Sequence, residues 1–138
     1  DFNNDGWPDL YVANDYEGKD FLYLNNKNGT FTDVANQSTK HVSFYSMGTD
    51  IGDINNDGWM DFISLDMMAA DNYTIKTSMS AMEPDKFGDV VNKGLHYQYM
   101  YNALQINNGA SGKNSTPVFS DVAQLAGVAS TDWSFQMV

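Results

Sequence analysis

The sequence has no cysteine, which removes disulfides, thiolate metal ligands and cysteine nucleophiles. It has no arginine either. Lysine supplies all seven basic residues against eighteen acids, for a net charge of −11. A protein that grips a phosphate backbone needs a basic stripe, so nucleic acid is excluded as a partner. Glutamate is nearly missing: of the eighteen acids only Glu17 and Glu83 are not aspartate. A solvated helical surface would favour Glu and Lys, whereas Asp and Asn belong to turns, caps and oxygen-ligand loops. No apolar run approaches the length of a membrane-spanning helix, and no signal peptide is visible. What is present suffices for a packed core. Of the 138 residues, 42% are hydrophobic and 14% aromatic, and charged residues at 18% are too few for a disordered acidic tail.

The acids are organised as a repeat. DFNNDGWPD (1–9) and DINNDGWMD (53–61) are near-copies. Each is followed by a short strand-like run, LYVAND (10–15) and FISLD (62–66). Further on, FLYLNNKNGTFTDVA (21–35) matches ALQINNGASGKNSTPVFSDVA (103–123) as strand, Asn/Gly turn and second strand. VSFYSMGTDIG (42–52) reads as the strand leading into the second loop, and STDWSFQMV (130–138) as the lead-in of a third unit. Repeat one is therefore expected over 1–41, repeat two over 42–129, and the start of repeat three over 130–138. On that reading the chain is a piece of a longer array, with another Asp-rich loop just beyond Val138. Repeat two carries an insert at about 67–96. In it Pro84, the apolar Phe87, Val90 and Val91, and Gly94 predict a short helix over about 84–93. LHYQYMYNALQIN (95–107) then alternates like a strand, with Tyr97, Tyr99 and Tyr101 on one face.

Each nine-residue loop reads as a metal site. Asp1, Asn3, Asp5 and Asp9, and likewise Asp53, Asn55, Asp57 and Asp61, put side-chain oxygens at positions one, three, five and nine. Glycine at position six permits the sharp bend, and position seven, Trp7 or Trp59, would offer its backbone carbonyl. An all-oxygen donor set selects a hard cation, and Ca²⁺ is preferred over the smaller, strictly octahedral Mg²⁺. An EF-hand would need Glu at position twelve and flanking helices. Val12 and Ser64 stand there, inside strand-like runs, and a dockerin-type pair fails for similar reasons.

The pattern D-x-N-x-D-G-x-x-D-[LF], a strand, then N-N-x-N-G-T-F-T-D-V, resembles the FG-GAP/VCBS repeat family. That family forms the calcium-loop blades of integrin-α-like β-propellers. The nearest likeness is to secreted bacterial VCBS-repeat proteins related to the ASPIC/UnbV group and to cartilage acidic protein. The resemblance implies an all-β fold, a β-propeller fragment of about two four-stranded blades with a partly helical insert. It also implies calcium ligands at the positions named above. The Gly-Ala-Pro element of the FG-GAP repeat would fall near Leu65–Met68 and is absent. The implied function is a calcium-binding extracellular, cell-surface or periplasmic module for protein or glycan binding. The alternative is the propeller portion of a secreted glycan- or polymer-degrading enzyme.

Other candidates carry less. His41 and His96 lack a local triad arrangement. Tyr97, Tyr99 and Tyr101 could stack on sugar rings, but packing of a sheet face explains them as well. The methionines Met67, Met68, Met79, Met82 and Met100 could make an adaptable partner surface or pack the insert over its own sheet. Asn28, Asn36, Asn72 and Asn114 begin N-x-[ST] sequons, of which Asn28-Gly29 reads better as a hairpin turn. Trp7, Trp59 and Trp133 are expected in packing roles. No catalytic residue is assigned.

Overall fold

The computed structural model describes residues 1–16, 18–78, 84–110 and 115–134. Strands in antiparallel sheets dominate, with a few short helices. Strands β1 (Leu10–Val12), β2 (Phe21–Asn25) and β3 (Phe31–Asp33) form a three-stranded antiparallel sheet in sequence order. Its register pairs Leu10 with Tyr23 and Tyr23 with Asp33. Helix α1 (Ala35–Ser38) follows, then β4 (Val42–Ser43) and β5 (Gly48–Gly52). The second Asp-rich loop closes the hairpin between β5 and β6 (Asp61–Leu65), whose register runs from Gly48–Leu65 to Gly52–Asp61. Helices α2 (Asn72–Ser78) and α3 (Pro84–Asn92) make up most of the described insert, followed by β7 (Gln98–Tyr99). Strands β8 (Ala103–Ala110) and β9 (Pro117–Asp121) complete a four-stranded antiparallel sheet of order β5-β6-β8-β9, and α4 (Ala123–Ala126) follows. β4 and β7 pair in parallel as a separate two-stranded sheet.

Strand β6 sits at the centre and is buried along its whole length. Its side chains alternate between two cores, as strand geometry requires. Phe62 joins the first core, with Phe2, Tyr11, Leu22, Leu24, Val34, Ala35 and Phe119. Ile63 and Leu65 join the second, with Leu104, Ala123 and Ala129. The first core lies between the two sheets. Phe2, Phe62 and Phe119 meet edge to face, with centroids 6.0, 5.8 and 5.0 Å apart, the geometry aromatic quadrupoles prefer. Phe2 belongs to the first Asp-rich loop, so that loop is anchored in the core through its second residue. A third cluster, Phe44, Val90 and Met100 with Met68 packed against it, holds α3 onto the body.

Several expected elements differ in detail. The helix at 84–93 is present as Pro84–Asn92. The alternating run 95–107 is not one strand: β7 pairs with β4, and β8 pairs with β6 and β9. Between them the Tyr101 N–H bonds the Tyr99 carbonyl at 3.0 Å, a tight turn. The buried Asn102 side chain then fixes the exit. The lead-in run 42–52 likewise splits into β4 and β5. Asp33 and Asp121 end their strands, because each carboxylate accepts the N–H two residues on, from Ala35 and Ala123, and turns the chain into a short helix. Helix α4 stops at Gly127, whose φ of 73° suits glycine. Residues 130–134 form no strand, and 135–138, Met79, Met82 and Asn114 lie outside the described residues.

Phe62→Ala removes a fully buried ring from the contact between the sheets. The expected loss is about 3–5 kcal/mol, measured as a lower midpoint in urea unfolding. A midpoint unchanged from wild type would contradict this packing.

Candidate functional site

The two loops repeat bond for bond. In the first, Asp1 Oδ1 and Oδ2 accept the N–H groups of Asp5 and Gly6 at 3.0 and 2.8 Å. In the second, Asp53 accepts those of Asp57 and Gly58 at 2.9 and 2.8 Å. Asn3 Oδ1 accepts the same Asp5 N–H at 3.3 Å, and Asn55 Oδ1 that of Asp57 at 3.0 Å. The amide nitrogens of Asn3 and Asn55 donate to Asp5 and Asp57, whose other oxygens accept the Trp7 and Trp59 N–H groups. Left-handed backbone at Asn4 and Gly6, and at Asn56 and Gly58, makes the turn possible. Because Asp1 and Asn3 share one N–H, their oxygens are neighbours, and Asp5 lies beside them.

Position nine does different work. Asp9 Oδ2 accepts the Phe2 N–H at 2.7 Å and its Oδ1 the Asn25 N–H at 2.9 Å. Asp61 Oδ2 accepts the Ile54 N–H at 2.9 Å and its Oδ1 the Asn107 N–H at 2.8 Å. Each carboxylate thus ties the start of its loop to the strand beyond. Ionised carboxylate oxygens have two lone pairs each, so one per oxygen is left. The Asn25 and Asn107 amides close the other side, donating to the carbonyls of Pro8 and Met60 at 3.1 Å each. Asn107 also donates to Phe2 O at 2.9 Å, and Asn4 to Gly58 O at 3.1 Å. The two loops therefore lie side by side.

The oxygen-only donor set at positions one, three and five suits a hard cation. Among the described residues, however, no group of three or more His, Cys, Asp or Glu side chains is gathered tightly enough to hold a metal ion. Asparagine fills the gap between two acids in each loop, and the third acid, at position nine, faces backbone N–H groups. Trp7 is half exposed, whereas the Trp59 ring lies over Gly109.

Lys27 was not legible as part of this site. Its ammonium is 3.2 Å from Asp5 Oδ2, at the edge of a cleft of about 350 Å³ lined also by Asn3, Asn25 and Thr32. Partial burial raises the Asp5 carboxyl. Hydrogen bonds from Asn3, Lys27 and Trp7 outweigh that and hold it below its ordinary value.

A second polar group is buried between the sheets. Asp20 and Asp66 are both fully buried. Asp20 accepts the Asn14 N–H at 2.8 Å and the hydroxyls of Tyr11 at 2.5 Å and Ser46 at 2.7 Å. Asp66 accepts Ser43 Oγ–H and the N–H groups of Phe44, Tyr45 and Met67. Burial raises both carboxyls, and the charge of Asp66 adds to the rise at Asp20. In repeat two the place of Asp20 is taken by Asn102, whose Oδ1 accepts the Asp66 N–H at 2.7 Å. The sequence marked neither residue, because a lone Asp beside a strand reads as a turn.

The histidines and tyrosines are linked to these elements. His41 Nε2 is 2.7 Å from Asp121 Oδ2 and 2.8 Å from Tyr101 Oη. Burial, with the Asp121 charge behind it, pushes the Tyr101 phenol up to about 12. Thr39 gives its proton to the Ala35 carbonyl, so His96 Nε2, at 3.1 Å, donates to the Thr39 hydroxyl. Burial first, then Lys19 and His41, pull the His96 pKa down. Tyr97, Tyr99 and Tyr101 do share a face. Phe87 of α3 stacks on Tyr97 and Tyr99 at 6.2 and 5.6 Å, and Tyr99 on Tyr101 at 5.9 Å. Tyr97 keeps half its surface exposed.

Asp20 has a folded pKa above its unfolded value. Its contribution to stability is complete below the ordinary carboxyl value of 3.8 and is lost as pH rises through the folded pKa. Asp20→Asn removes that loss and copies the arrangement at Asn102. The stability gap between variant and wild type should move in the variant's favour as pH rises from about 4 to 7. Chemical denaturation across that range checks it, and parallel curves would refute it.

Comparison with known proteins bears on the loops directly. No curated protein and no solved structure matches the chain. Residues 1–64, which hold both Asp-rich loops and the strands between them, match the FG-GAP-like repeat. Over those residues the match supports the FG-GAP family.

Proposed function

We propose that the chain is a calcium-stiffened, propeller-type repeat module of an extracellular or cell-surface binding protein. The observation that carries this reading is the pair of near-identical oxygen-rich loops lying side by side, each tied to its own sheet. The FG-GAP match supports the extracellular setting, since such repeats are typical of surface proteins. On this reading the four-stranded sheet would be one blade and the three-stranded sheet most of another. No described helix is long and apolar enough to cross a membrane.

Asp1, Asn3 and Asp5, and Asp53, Asn55 and Asp57, would hold the cations, with the Trp7 and Trp59 carbonyls and the free lone pairs of Asp9 and Asp61. Bound calcium would offset the mutual repulsion of the clustered carboxylates, which otherwise opposes folding. Extracellular calcium modules bind at roughly 10⁻⁴–10⁻³ M, which keeps such a site filled outside the cell. The ligand of the module is a protein or a glycan, and the half-exposed Tyr97 ring is one surface that could meet it.

A binding role is favoured over the enzymatic alternative by what the acids already do. Asp1, Asp5, Asp9, Asp33, Asp53, Asp57, Asp61 and Asp121 all accept backbone N–H groups. Incubation with a polysaccharide panel separates the two: a binder retains its ligand at full length, and shortened products would establish an enzyme.

Removing calcium with a chelator should lower the melting temperature. With free calcium at a hundred times Kd, each site adds about 2.7 kcal/mol, which corresponds to several degrees. Asp57→Ala should abolish most of the response of the second loop. A melt indifferent to chelator would overturn the calcium reading.

A further inference from the structure

The two loops are alike in their own bonds but differ in what faces them. Asn25 and Asn107 make the same turn: Asn25 Oδ1 accepts the Lys27 N–H at 2.9 Å, and Asn107 Oδ1 the Gly109 N–H at 2.9 Å. Lys27 and Gly109 both have left-handed backbone, with φ of 63° and 83°. They are the same position of the repeat. At that position repeat one places an ammonium 3.2 Å from Asp5 Oδ2. Repeat two has glycine there, and a Cβ on Gly109 would stand 3.1 Å from Trp59 Cε2 and 3.2 Å from Cζ2. A side chain there would need the Trp59 ring to give way by a few tenths of an ångström, so glycine suits the position. Asp57 meets the Asn55 amide and the Trp59 N–H, and among the described residues no lysine.

We propose that Lys27 is a built-in counter-ion of the first loop, which competes with a divalent cation and makes the two sites unequal. This rests on the calcium reading above. An ammonium beside Asp5 cancels part of the negative potential that draws a divalent cation, and a cation entering there must displace it or tolerate it. Among the described residues the second loop has no such counter-ion. Loop 53–61 fills first as calcium rises, and loop 1–9 fills at higher concentration. Repeat one holds its shape with calcium scarce, because its lysine already offsets part of the repulsion.

Calorimetric titration of calcium into the full chain tests this. Two binding events are expected, separated by about fivefold to tenfold in affinity, a modest factor because the lysine is partly solvated. Asp5→Asn should remove the weaker event and Asp57→Asn the stronger. Lys27→Gly, which suits the left-handed backbone and copies repeat two, should tighten the weaker event until the two merge. Lys27→Arg should leave them apart. Circular dichroism confirms that each variant is folded. Equal affinities in wild type, the reverse assignment of the two events, or no tightening in Lys27→Gly would overturn the proposal and leave calcium binding standing. Absence of any calcium heat or melting shift would overturn both.

Discussion

The fold depends on a carboxylate that bridges two stretches of backbone. Asp61 is fully buried, and its two oxygens hold the Ile54 N–H at the start of the loop and the Asn107 N–H in β8. Burying a charge is costly unless it is well satisfied. Here the donors are amides that would otherwise be left orphaned at a loop mouth. The same acid therefore closes the β5–β6 hairpin and aligns β6 against β8. Asp9 does this for β1 and β2 with looser burial. A loop held this way has its shape before any cation arrives, so a ligand would find positions one, three and five already turned inward.

The other buried acids make a different bargain. Asp20 and Asp66 are satisfied by hydroxyls and amides, burial raises both carboxyls, and the charge of Asp66 adds to the rise at Asp20. The bonds of Asp20 join Tyr11 and Asn14 of the first unit to Ser46 and, through it, Ser64 of the second. Apolar contacts among Phe2, Phe62 and Phe119 supply attraction between the sheets but little directional information. The buried polar network fixes their relative register, since a slip would leave carboxylates unpaired.

The sequence made the repeat legible because the loop needs particular atoms at fixed positions. Oxygen at positions one, three and five, and glycine at six, cannot drift without losing the turn. The strands between were legible from alternation, and the helix at 84–92 from Pro84 and its apolar spacing. What was not legible depends on contacts across the fold. The break between β7 and β8 is imposed by different partners on either side of Asn102, which a local pattern does not carry. Lys27 reads in sequence as one more turn residue, and only the folded hairpin brings its ammonium to Asp5. The role of Asp9 and Asp61 was half visible. Their place in the loop was clear, but their bonds to Asn25 and Asn107 belong to strands far along the chain.

The Trp59 ring resting on Gly109 has a spectroscopic consequence. Trp7 and Trp59 occupy the same place in two nearly identical peptides, yet one indole is half in water and the other is shielded by backbone. Their emission should differ in wavelength and in quenching by solutes. With the exposed Trp133 replaced, the chain carries an intrinsic optical label on each loop, so events at one can be followed separately from events at the other without attaching a dye.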